Sequence, residues 1–302
     1  VKLYVYQGQE EQILQKATTD AEGRSTFRNL TLSEDARSDK AVRYLAATDY
    51  ADVSYYSDWV ILTPVTSTVS LDLMVYEKTE DDGDIVVQPA HLVVTFSGGR
   101  IRVQEILFVE NKGDRTYVGR PDPALHNRMA TLRFSLPKEA TELTFVDPDA
   151  ENSILRLPEG FIDTRPVSPG RWPYVYSYSL NYTGTDYVLR REIVYPTQGI
   201  NLLVADVGVQ VESSQLSLQG RRETQAGAYQ HWAKESLARG VELVVGLRQL
   251  PSNGELAGGS PAASHSPLRW IALGLITLAV LFALAQPFLL WRRAGPHTKD
   301  AG

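Results

Sequence analysis

Three tyrosines, Tyr174, Tyr176 and Tyr178, alternate with other residues in one short segment of the chain. Side chains on a β-strand point alternately to its two faces, so this spacing predicts that the three rings share one face. Aromatic rings stack on the apolar faces of sugar rings, so an exposed row would bind glycans. The same row would also fill the core of a β-sandwich or pair across strands. Both interpretations extend to a second aromatic group, Tyr55, Tyr56 and Trp59.

Two acidic segments carry oxygen ligands of the kind that calcium takes. They are Asp81–Asp84, with a glycine at its third position, and Asp147–Asn152. Neither has the full ligand spacing of an EF-hand loop, and exposed turns without a metal have the same composition. We therefore predict no metal centre and no cofactor.

Residue types that carry much of enzyme chemistry are absent or scattered. The chain has no Cys, which excludes disulfides, thiolate metal sites and a cysteine nucleophile. No two histidines have the i, i+4 spacing of a zinc-protease helix, and no nucleophile elbow, phosphate loop or dinucleotide fingerprint is present. The sequence thus predicts a protein that is not an enzyme, although distant residues could still assemble a triad. The five histidines are His91, His126, His231, His265 and His297.

Composition favours strands as the main structural element. The 302 residues leave room for two ordinary domains, and the 15 Tyr, 8 Phe and 5 Trp accompany short runs of Val and Thr. A net charge of −6 argues against a nucleic-acid partner, because phosphate binding needs a basic face. We predict an all-β fold of two β-sandwich domains, Ig-like or prealbumin-like, plus one C-terminal transmembrane helix.

The first domain is predicted over residues 1–76. Within it, Thr18–Phe27 has the composition of a tight hairpin, with Gly23 closing the turn at positive φ and Phe27 pointing inward. Val1 directly precedes a strand pattern without an initiator Met or a signal peptide, so we expect a processed chain or a fragment. The predicted strands are Lys2–Tyr6, Ile13–Thr18, Arg24–Arg28, Ala41–Thr48, Val53–Tyr56, Trp59–Leu62 and Thr68–Leu73.

This hairpin, followed by the tyrosine-rich segments around Tyr44, Tyr50 and Tyr55-Tyr56, resembles the carboxypeptidase regulatory-like (transthyretin-like) β-sandwich domain. The resemblance covers roughly seventy residues and implies an N-terminally truncated copy of that domain on a bacterial envelope protein. It further implies a carbohydrate-binding-like fold and a role in stability, spacing or binding. It carries over no catalytic residue.

A second, larger β-sandwich is predicted over residues 85–250, after an acidic linker at Glu77–Asp84. Ala226–Ala238 is predicted as the one helix, from apolar residues at three- to four-residue spacing, with a strand as the alternative. The predicted strands are Ile85–Val87, His91–Ser97, Arg100–Asn111, Thr116–Val118, Thr131–Ser135, Glu142–Phe145, Trp172–Tyr182, Tyr187–Tyr195, Gly199–Ala205, Val207–Leu218 and Glu242–Leu247.

The C-terminal region predicts a membrane anchor. Twenty residues, Ile271–Leu290, carry no formal charge. At about 1.5 Å rise per residue they span roughly the 30 Å hydrocarbon core. Trp270 and Trp291 bracket this span as an aromatic belt, and the excess of basic residues after it, with Arg292 and Arg293 first, predicts a cytoplasmic C-terminus.

The boundaries predicted around the anchor are a flexible linker at 251–267, the transmembrane helix at 268–291 and a short cytoplasmic tail at 292–302. The linker is rich in Gly, Ser, Ala and Pro. A buried core helix and a tail anchor with the large region in the cytosol are the alternatives. The sequence therefore predicts a single-pass protein of the cell membrane with an extracytoplasmic N-terminal region.

These observations lead to a functional expectation without a named ligand. We expect a structural or protein-binding role, such as the accessory subunit of an envelope or membrane assembly. The partners would be the lipid bilayer and an envelope protein, with no nucleic acid. A carbohydrate-binding cell-surface module is the alternative, because of the tyrosine rows.

Overall fold

The computed structural model describes residues 1–7 and 10–251 of the chain. Among these residues no helix is long and apolar enough to cross a membrane. The predicted helix at 268–291, the cytoplasmic tail at 292–302 and all but the first residue of the predicted linker lie outside the described residues.

Strands dominate the described residues, so the all-β class is confirmed. Two short 3₁₀ helices, Pro123–Leu125 and Pro148–Ser153, accompany them. The strands in chain order are β1 (Lys2–Gln7), β2 (Glu10–Lys16), β3 (Arg43–Tyr50), β4 (Val53–Tyr56), β5 (Val60–Ile61), β6 (Lys78–Thr79), β7 (Ile85–Ser97), β8 (Arg100–Asn111), β9 (Thr116–Tyr117), β10 (Arg120–Asp122), β11 (Arg128–Ala130), β12 (Leu132–Ser135), β13 (Ala140–Phe145), β14 (Ile154–Leu157), β15 (Gly160–Asp163), β16 (Gly170–Asn181), β17 (Tyr187–Glu192), β18 (Thr197–Ala205), β19 (Gln210–Glu212), β20 (Ser217–Thr224), β21 (Gly227–Leu237) and β22 (Glu242–Arg248).

The chain divides into two compact units. Among the described residues, unit 1 comprises Val1–Glu80 and Asp114–Tyr117, and unit 2 comprises Asp81–Gly113 and residues 118–251. The chain thus returns to unit 1 at Asp114–Tyr117. The sequence does not predict this return, because its prediction has a single linker between two domains. In unit 1 this return supplies β9, which pairs in parallel with β6.

Unit 1 is built on one five-stranded sheet in the order β2-β1-β3-β4, with β5 also pairing with β3. Strands β1 and β4 alternate in burial, because side chains of successive residues point to opposite faces. In β1, for example, Leu3 and Val5 are buried while Tyr4 and Tyr6 are partly exposed. The buried face carries the core cluster Leu3, Val5, Val42, Tyr44 and Leu62, against which Phe27, Leu30 and Val60 pack.

The predicted turn at Asp20–Gly23 forms as its residues require. Gly23 has a φ of 77°, and the Asp20 carboxylate accepts hydrogen bonds from the backbone N–H groups of Glu22 and Arg24. Phe27 packs inward on the core, as predicted. The predicted strand Arg24–Arg28 is wrong, because this segment joins no backbone ladder; a side-chain bond from Gln15 to the Arg28 carbonyl holds it instead.

Unit 2 is built on a seven-stranded sheet in the order β13-β16-β8-β7-β18-β21-β20. Two three-stranded sheets, β12-β15-β14 and β17-β22-β19, supply further strands. Tyr176 on the large sheet contacts Phe134 and Phe161 on β12 and β15, with ring centroids 5.8 and 4.9 Å apart. Packing of aromatic residues between two sheets is consistent with a β-sandwich.

The helix predicted at Ala226–Ala238 is wrong, because this segment forms strand β21. It pairs with β18 on one side and β20 on the other, so its backbone hydrogen bonds go to neighbouring strands. Tyr229 and His231 are buried at period two, which the helical interpretation did not use. Tertiary pairing therefore overrides a helical spacing that Tyr229, Trp232 and Leu237 meet by chance.

Candidate functional site

The predicted tyrosine row lies on β16 and faces the interior of unit 2. Tyr176 and Tyr178 are each 1% exposed, and Tyr174 is partly buried. Their strand pairs with β8, where Glu105 lies opposite Tyr176 and Leu107 lies opposite Tyr174. The three rings share one face, as the spacing predicts, but that face is part of the core. They therefore do not form an exposed glycan-binding surface.

The two innermost hydroxyls bind a buried carboxylate. Tyr176 donates to Glu105 Oε2 at 2.7 Å and Tyr178 donates to Glu105 Oε1 at 3.0 Å. The Arg191 guanidinium completes the group with contacts of 3.0 Å to Oε1 and 2.8 Å to Oε2. Glu105 is 0% exposed and Arg191 is 7% exposed. The buried carboxylate thus has four polar contacts from three side chains.

This arrangement stabilises charge and does not offer a reactive group. Burial, followed by the neighbouring Glu105 carboxylate, raises the pKa of Tyr176 and Tyr178 well above that of an ordinary tyrosine. The carboxylate in turn favours the charged form of Arg191, whose pKa is also raised against the opposing effect of burial. The phenols of Tyr176 and Tyr178 therefore stay protonated and Arg191 stays charged at neutral pH. The cluster is a structural ion pair.

A second buried acid is paired in the same way. Asp163 is fully buried and binds the Arg165 guanidinium, with Nη2 2.7 Å from Oδ2. Arg165 also contacts Asp147, an acid of the segment considered for calcium. Burial raises the pKa of Tyr174, and its hydrogen bond with Asp163 acts in the same direction. Tyr174 therefore belongs to this group.

Acidic residues in both segments that were considered as calcium ligands take part in ion pairs. Asp82 binds Arg239 at 2.9 Å, and Asp147 binds Arg165 at 3.2 Å. In the part of the chain that the structure describes, no group of three or more acidic or histidine side chains could hold a metal ion.

Two of the five histidines lie on the face of the large sheet in unit 2 that is opposite the tyrosine row. His91 on β7 and His231 on β21 are both buried, and Asn201 on the strand between them binds His231 Nε2 at 2.9 Å. Among described residues, the Nδ1 atoms of both histidines are buried without a hydrogen-bond partner. Burial, His231 and Arg171 lower the pKa of His91 to about 4.

Exposed aromatic side chains gather on the sheet of unit 1, on the face opposite its core. We call Tyr4, Tyr6, Tyr56 and Trp59 the aromatic surface. Tyr56 is 61% exposed and Trp59 is 49% exposed, and Tyr6 meets Trp59 edge to face with ring centroids 4.3 Å apart. The neighbouring Tyr55 points to the other face, where it is buried. Of the predicted group, Tyr55 is thus a core residue, whereas Tyr56 and Trp59 are exposed.

Strand register explains how these rings come together. Tyr4 on β1 lies opposite Leu45 on β3, and Ala47 on β3 lies opposite Tyr56 on β4. Leu45 and Ala47 are buried although they point to this face. Trp59 follows β4 in the loop before β5 and reaches Tyr6. The rings, together with Ile13 opposite Tyr4 on β2, therefore share the face to which these two buried side chains point.

Polar side chains border the aromatic surface. Lys2 lies opposite Ala47 and binds Asp49 at 2.8 Å, and Asp49 also accepts a hydrogen bond from Ser54. Tyr4 and Tyr56 lie close enough to Lys2 to act on its charge. The surface thus combines exposed ring area with hydrogen-bond donors and acceptors.

The sequence prediction missed several of these residues. Tyr4 and Tyr6 alternate with Leu3 and Val5, which is the signal that they share the face opposite the core. Glu105 has the same parity as the buried Ile101 and Val103 of its strand, and a charge at an inward position requires a buried partner. Arg191 has the same parity as Leu189. Only the packing of the two sheets determines that Arg191 on β17 contacts Glu105 on β8.

Neither a scan against protein-family models nor a search of curated proteins finds a match for this chain. The resemblance of residues 1–76 to the carboxypeptidase regulatory-like domain therefore stays a prediction.

Proposed function

We propose that this chain is a non-enzymatic binding protein of the cell membrane, and that the aromatic surface of unit 1 is its recognition surface. In this proposal Ile271–Leu290 crosses the bilayer once, with the large region extracytoplasmic and the C-terminus cytoplasmic. The two units would be β-sandwich modules of the Ig-like or prealbumin-like kind, the first a truncated regulatory-like domain. No catalytic step and no cofactor are part of the proposal.

One observation carries it: the sheet of unit 1, whose other face is the core, has exposed aromatic side chains at Tyr56 on β4 and at Trp59 in the loop that follows it. Because Tyr56 is 61% and Trp59 49% exposed, each gives up part of the roughly 1.5–3 kcal/mol that full burial of a large side chain contributes. A contiguous exposed group of such residues is a feature of interaction sites. The buried acids Glu105 and Asp163, by contrast, are paired with Arg191 and Arg165.

Two classes of partner suit such a surface. The sequence favours a protein of an envelope or membrane assembly, with this chain as an accessory subunit. A surface made of aromatic rings bordered by hydrogen-bonding groups favours the alternative, a carbohydrate. Tyrosine and tryptophan are enriched in both kinds of site.

The test is capture from the native envelope by the full-length chain in mild detergent. Captured material is analysed by mass spectrometry for proteins and by monosaccharide analysis for glycans. We expect a component that is retained by the natural chain and lost by the double variant Tyr56→Ala/Trp59→Ala. The matched control is Tyr50→Ala/Trp172→Ala, which removes one exposed tyrosine and one exposed tryptophan outside the aromatic surface. If the same material is captured by both variants, the aromatic surface is not the recognition surface.

A further inference from the structure

We propose that the segment Ser67–Val75 of unit 1 is a dimerisation strand, which pairs antiparallel with the same segment of a second copy of this chain. The sequence predicts a strand at Thr68–Leu73, but among the described residues no strand pairs with it. We therefore call Ser67–Val75 the unpaired segment. It shares no residue with the aromatic surface, so its pairing is independent of the function proposed above.

The backbone of the unpaired segment is extended. Along its whole length, all of which the structure describes, it makes no turn and no bend, and no residue has a positive φ. Leu71 and Leu73 are partly buried. Ser70, Asp72 and Met74, which alternate with them, are exposed. This period of two is that of a β-strand, so the segment has the form of a strand without a neighbour.

The backbone polar groups of the unpaired segment are available to a partner. None of its nine residues forms a hydrogen bond with another residue that the structure describes. Beyond its two ends the backbone is occupied. The Thr66 N–H donates to Thr63 Oγ1 at 3.1 Å, and the Tyr76 carbonyl accepts from the Tyr55 hydroxyl at 2.7 Å. An extended backbone with unpaired N–H and C=O groups is a template for another strand.

The unpaired segment also lacks the charges that protect exposed strand edges. Edge strand β20 of unit 2 has three consecutive exposed charged residues, Arg221–Glu223. Such charges oppose the addition of a further strand. The unpaired segment has Asp72 alone, and it exposes Val69 by 39%, Met74 by 61% and Val75 by 42%. An added strand would cover part of this apolar area.

The sequence of the unpaired segment complements itself about Leu71. When two copies run antiparallel with a twofold axis at Leu71, this residue faces its own counterpart and Val69 faces Leu73. Ser70 then faces Asp72. Apolar side chains meet on one face and no like charges are opposed, whereas an axis at Asp72 would oppose two carboxylates.

The same axis uses the whole of the available backbone and nothing else. Leu71 is the central residue of the unpaired segment, so the pairing includes all nine residues and none of the occupied neighbours. A nine-residue antiparallel pair forms about eight to ten backbone hydrogen bonds, close to the number in a typical protein interface. A twofold contact also closes on itself, so it yields a dimer and no filament. A second copy is therefore the occupant that fits.

The first test measures the mass of the full-length chain in mild detergent, by light scattering after size-exclusion chromatography at several concentrations. We expect the natural chain to dimerise. Leu71→Lys and Leu71→Glu each oppose like charges at the axis, so each alone should weaken dimerisation by about tenfold or more. A mixture of the two variants opposes unlike charges and should restore the dimer. The control is Val65→Lys, at a position 96% exposed outside the segment, which should dimerise like the natural chain.

The second test uses the absence of Cys from the chain. Leu71→Cys should form a disulfide-linked dimer under mild oxidation, because the two thiols face each other at the axis. Ser67→Cys should not, because the two thiols would lie roughly 26 Å apart along the paired strands, far beyond the reach of a disulfide. Circular dichroism of every variant checks that the sheets are retained. If Leu71→Lys does not fold, the smaller cysteine substitutions decide.

The proposal is overturned if the natural chain stays monomeric at all concentrations, or if folded Leu71→Lys dimerises as tightly as the natural chain. Equal cross-linking of Ser67→Cys and Leu71→Cys would exclude the antiparallel register. If the chain captures another protein through the unpaired segment and forms no dimer, a second copy is the wrong occupant. None of these results depends on Tyr56 or Trp59, so their failure would leave the aromatic surface to its own test.

Discussion

At the scale of single residues, Glu105 and Arg191 show how unit 2 tolerates charge in its core. Both side chains take inward positions on their strands, and each is nearly inaccessible to solvent. Tyr176 and Tyr178 supply the hydrogen bonds that the carboxylate needs in addition to the guanidinium. Such a pair is tolerable only while every member is present.

We expect Glu105→Gln to destabilise the chain by about 3–5 kcal/mol, because it leaves the Arg191 charge buried without a counter-charge. Urea unfolding followed by circular dichroism measures the change. The control is Arg190→Ala on β17, the strand of Arg191; the exposed ion pair of Arg190 with Glu242 should contribute less than about 1 kcal/mol. Equal losses of unfolding free energy in the two variants would contradict the expectation that the buried Glu105 ion pair matters more for stability than the exposed Arg190 ion pair.

His91 gives the stability of the chain a specific pH dependence. Its pKa is lowered from 6.5 to about 4 by burial and by the charges of His231 and Arg171, so the folded chain holds it neutral. Between these two values the unfolded chain binds more protons. This contribution to stability is therefore full above pH 6.5 and is lost as the pH falls through the window toward 4.

The expected size of this loss is at most about 3.4 kcal/mol for the full shift. It is measured as the difference in unfolding free energy between pH 7 and pH 4.5, for the natural chain and for His91→Gln. The variant should lose less stability over this range, because it lacks the titrating ring. His126→Asn, at an exposed position with a positive φ, should behave like the natural chain. Parallel profiles for all three chains would contradict the expectation.

At the scale of elements, the close approach of β12 and β15 depends on one glycine. Gly160 has a φ of 148°, and a Cβ added there would lie 1.9 Å from the carbonyl oxygen of Phe134. That carbonyl belongs to the backbone, so it cannot move aside as a flexible side chain would. The contact between Phe134 and Phe161, whose rings stack with centroids 4.7 Å apart, depends on this approach.

Gly160→Ala should therefore be strongly destabilising, whereas Gly170→Ala should be milder. Gly170 also has a positive φ, of 116°, but nothing lies within 4 Å of the added Cβ. The backbone strain is thus common to both variants, at roughly 1–3 kcal/mol, and Gly160→Ala adds an overpacking cost of similar size. Thermal unfolding of the two variants compares them directly. A milder effect at Gly160 would show that the two strands separate easily.

At the scale of the whole molecule, the absence of Cys makes membrane topology directly measurable. Single cysteines at Ser38 in unit 1 and at Thr298 near the C-terminus would be the only thiols of each variant. A membrane-impermeant maleimide applied to intact cells should label Ser38→Cys, and it should label Thr298→Cys only after permeabilisation. The reverse pattern would place the large region in the cytosol and would exclude an extracytoplasmic ligand. Carbonate extraction tests insertion independently, since an integral protein stays with the membrane.

The sequence by itself determined the features that local chemistry controls. Aromatic and β-branched residues indicated an all-β chain, and the Asp20–Gly23 turn formed because its residues close it without help from the rest of the fold. The period of two also indicated correctly that Tyr174, Tyr176 and Tyr178 share a face.

Only the tertiary structure decided which faces are covered. Alternation assigns residues to one side of a strand, but a second layer decides whether that side is core or surface. Hence Tyr176 is buried against Phe134 and Phe161, while Tyr56 stays exposed. The same holds for β21, where pairing with two neighbouring strands overcame a helical spacing. Long-range contacts between strands distant in the chain leave no local pattern, and in this protein they separate the structural aromatic residues from the proposed recognition surface.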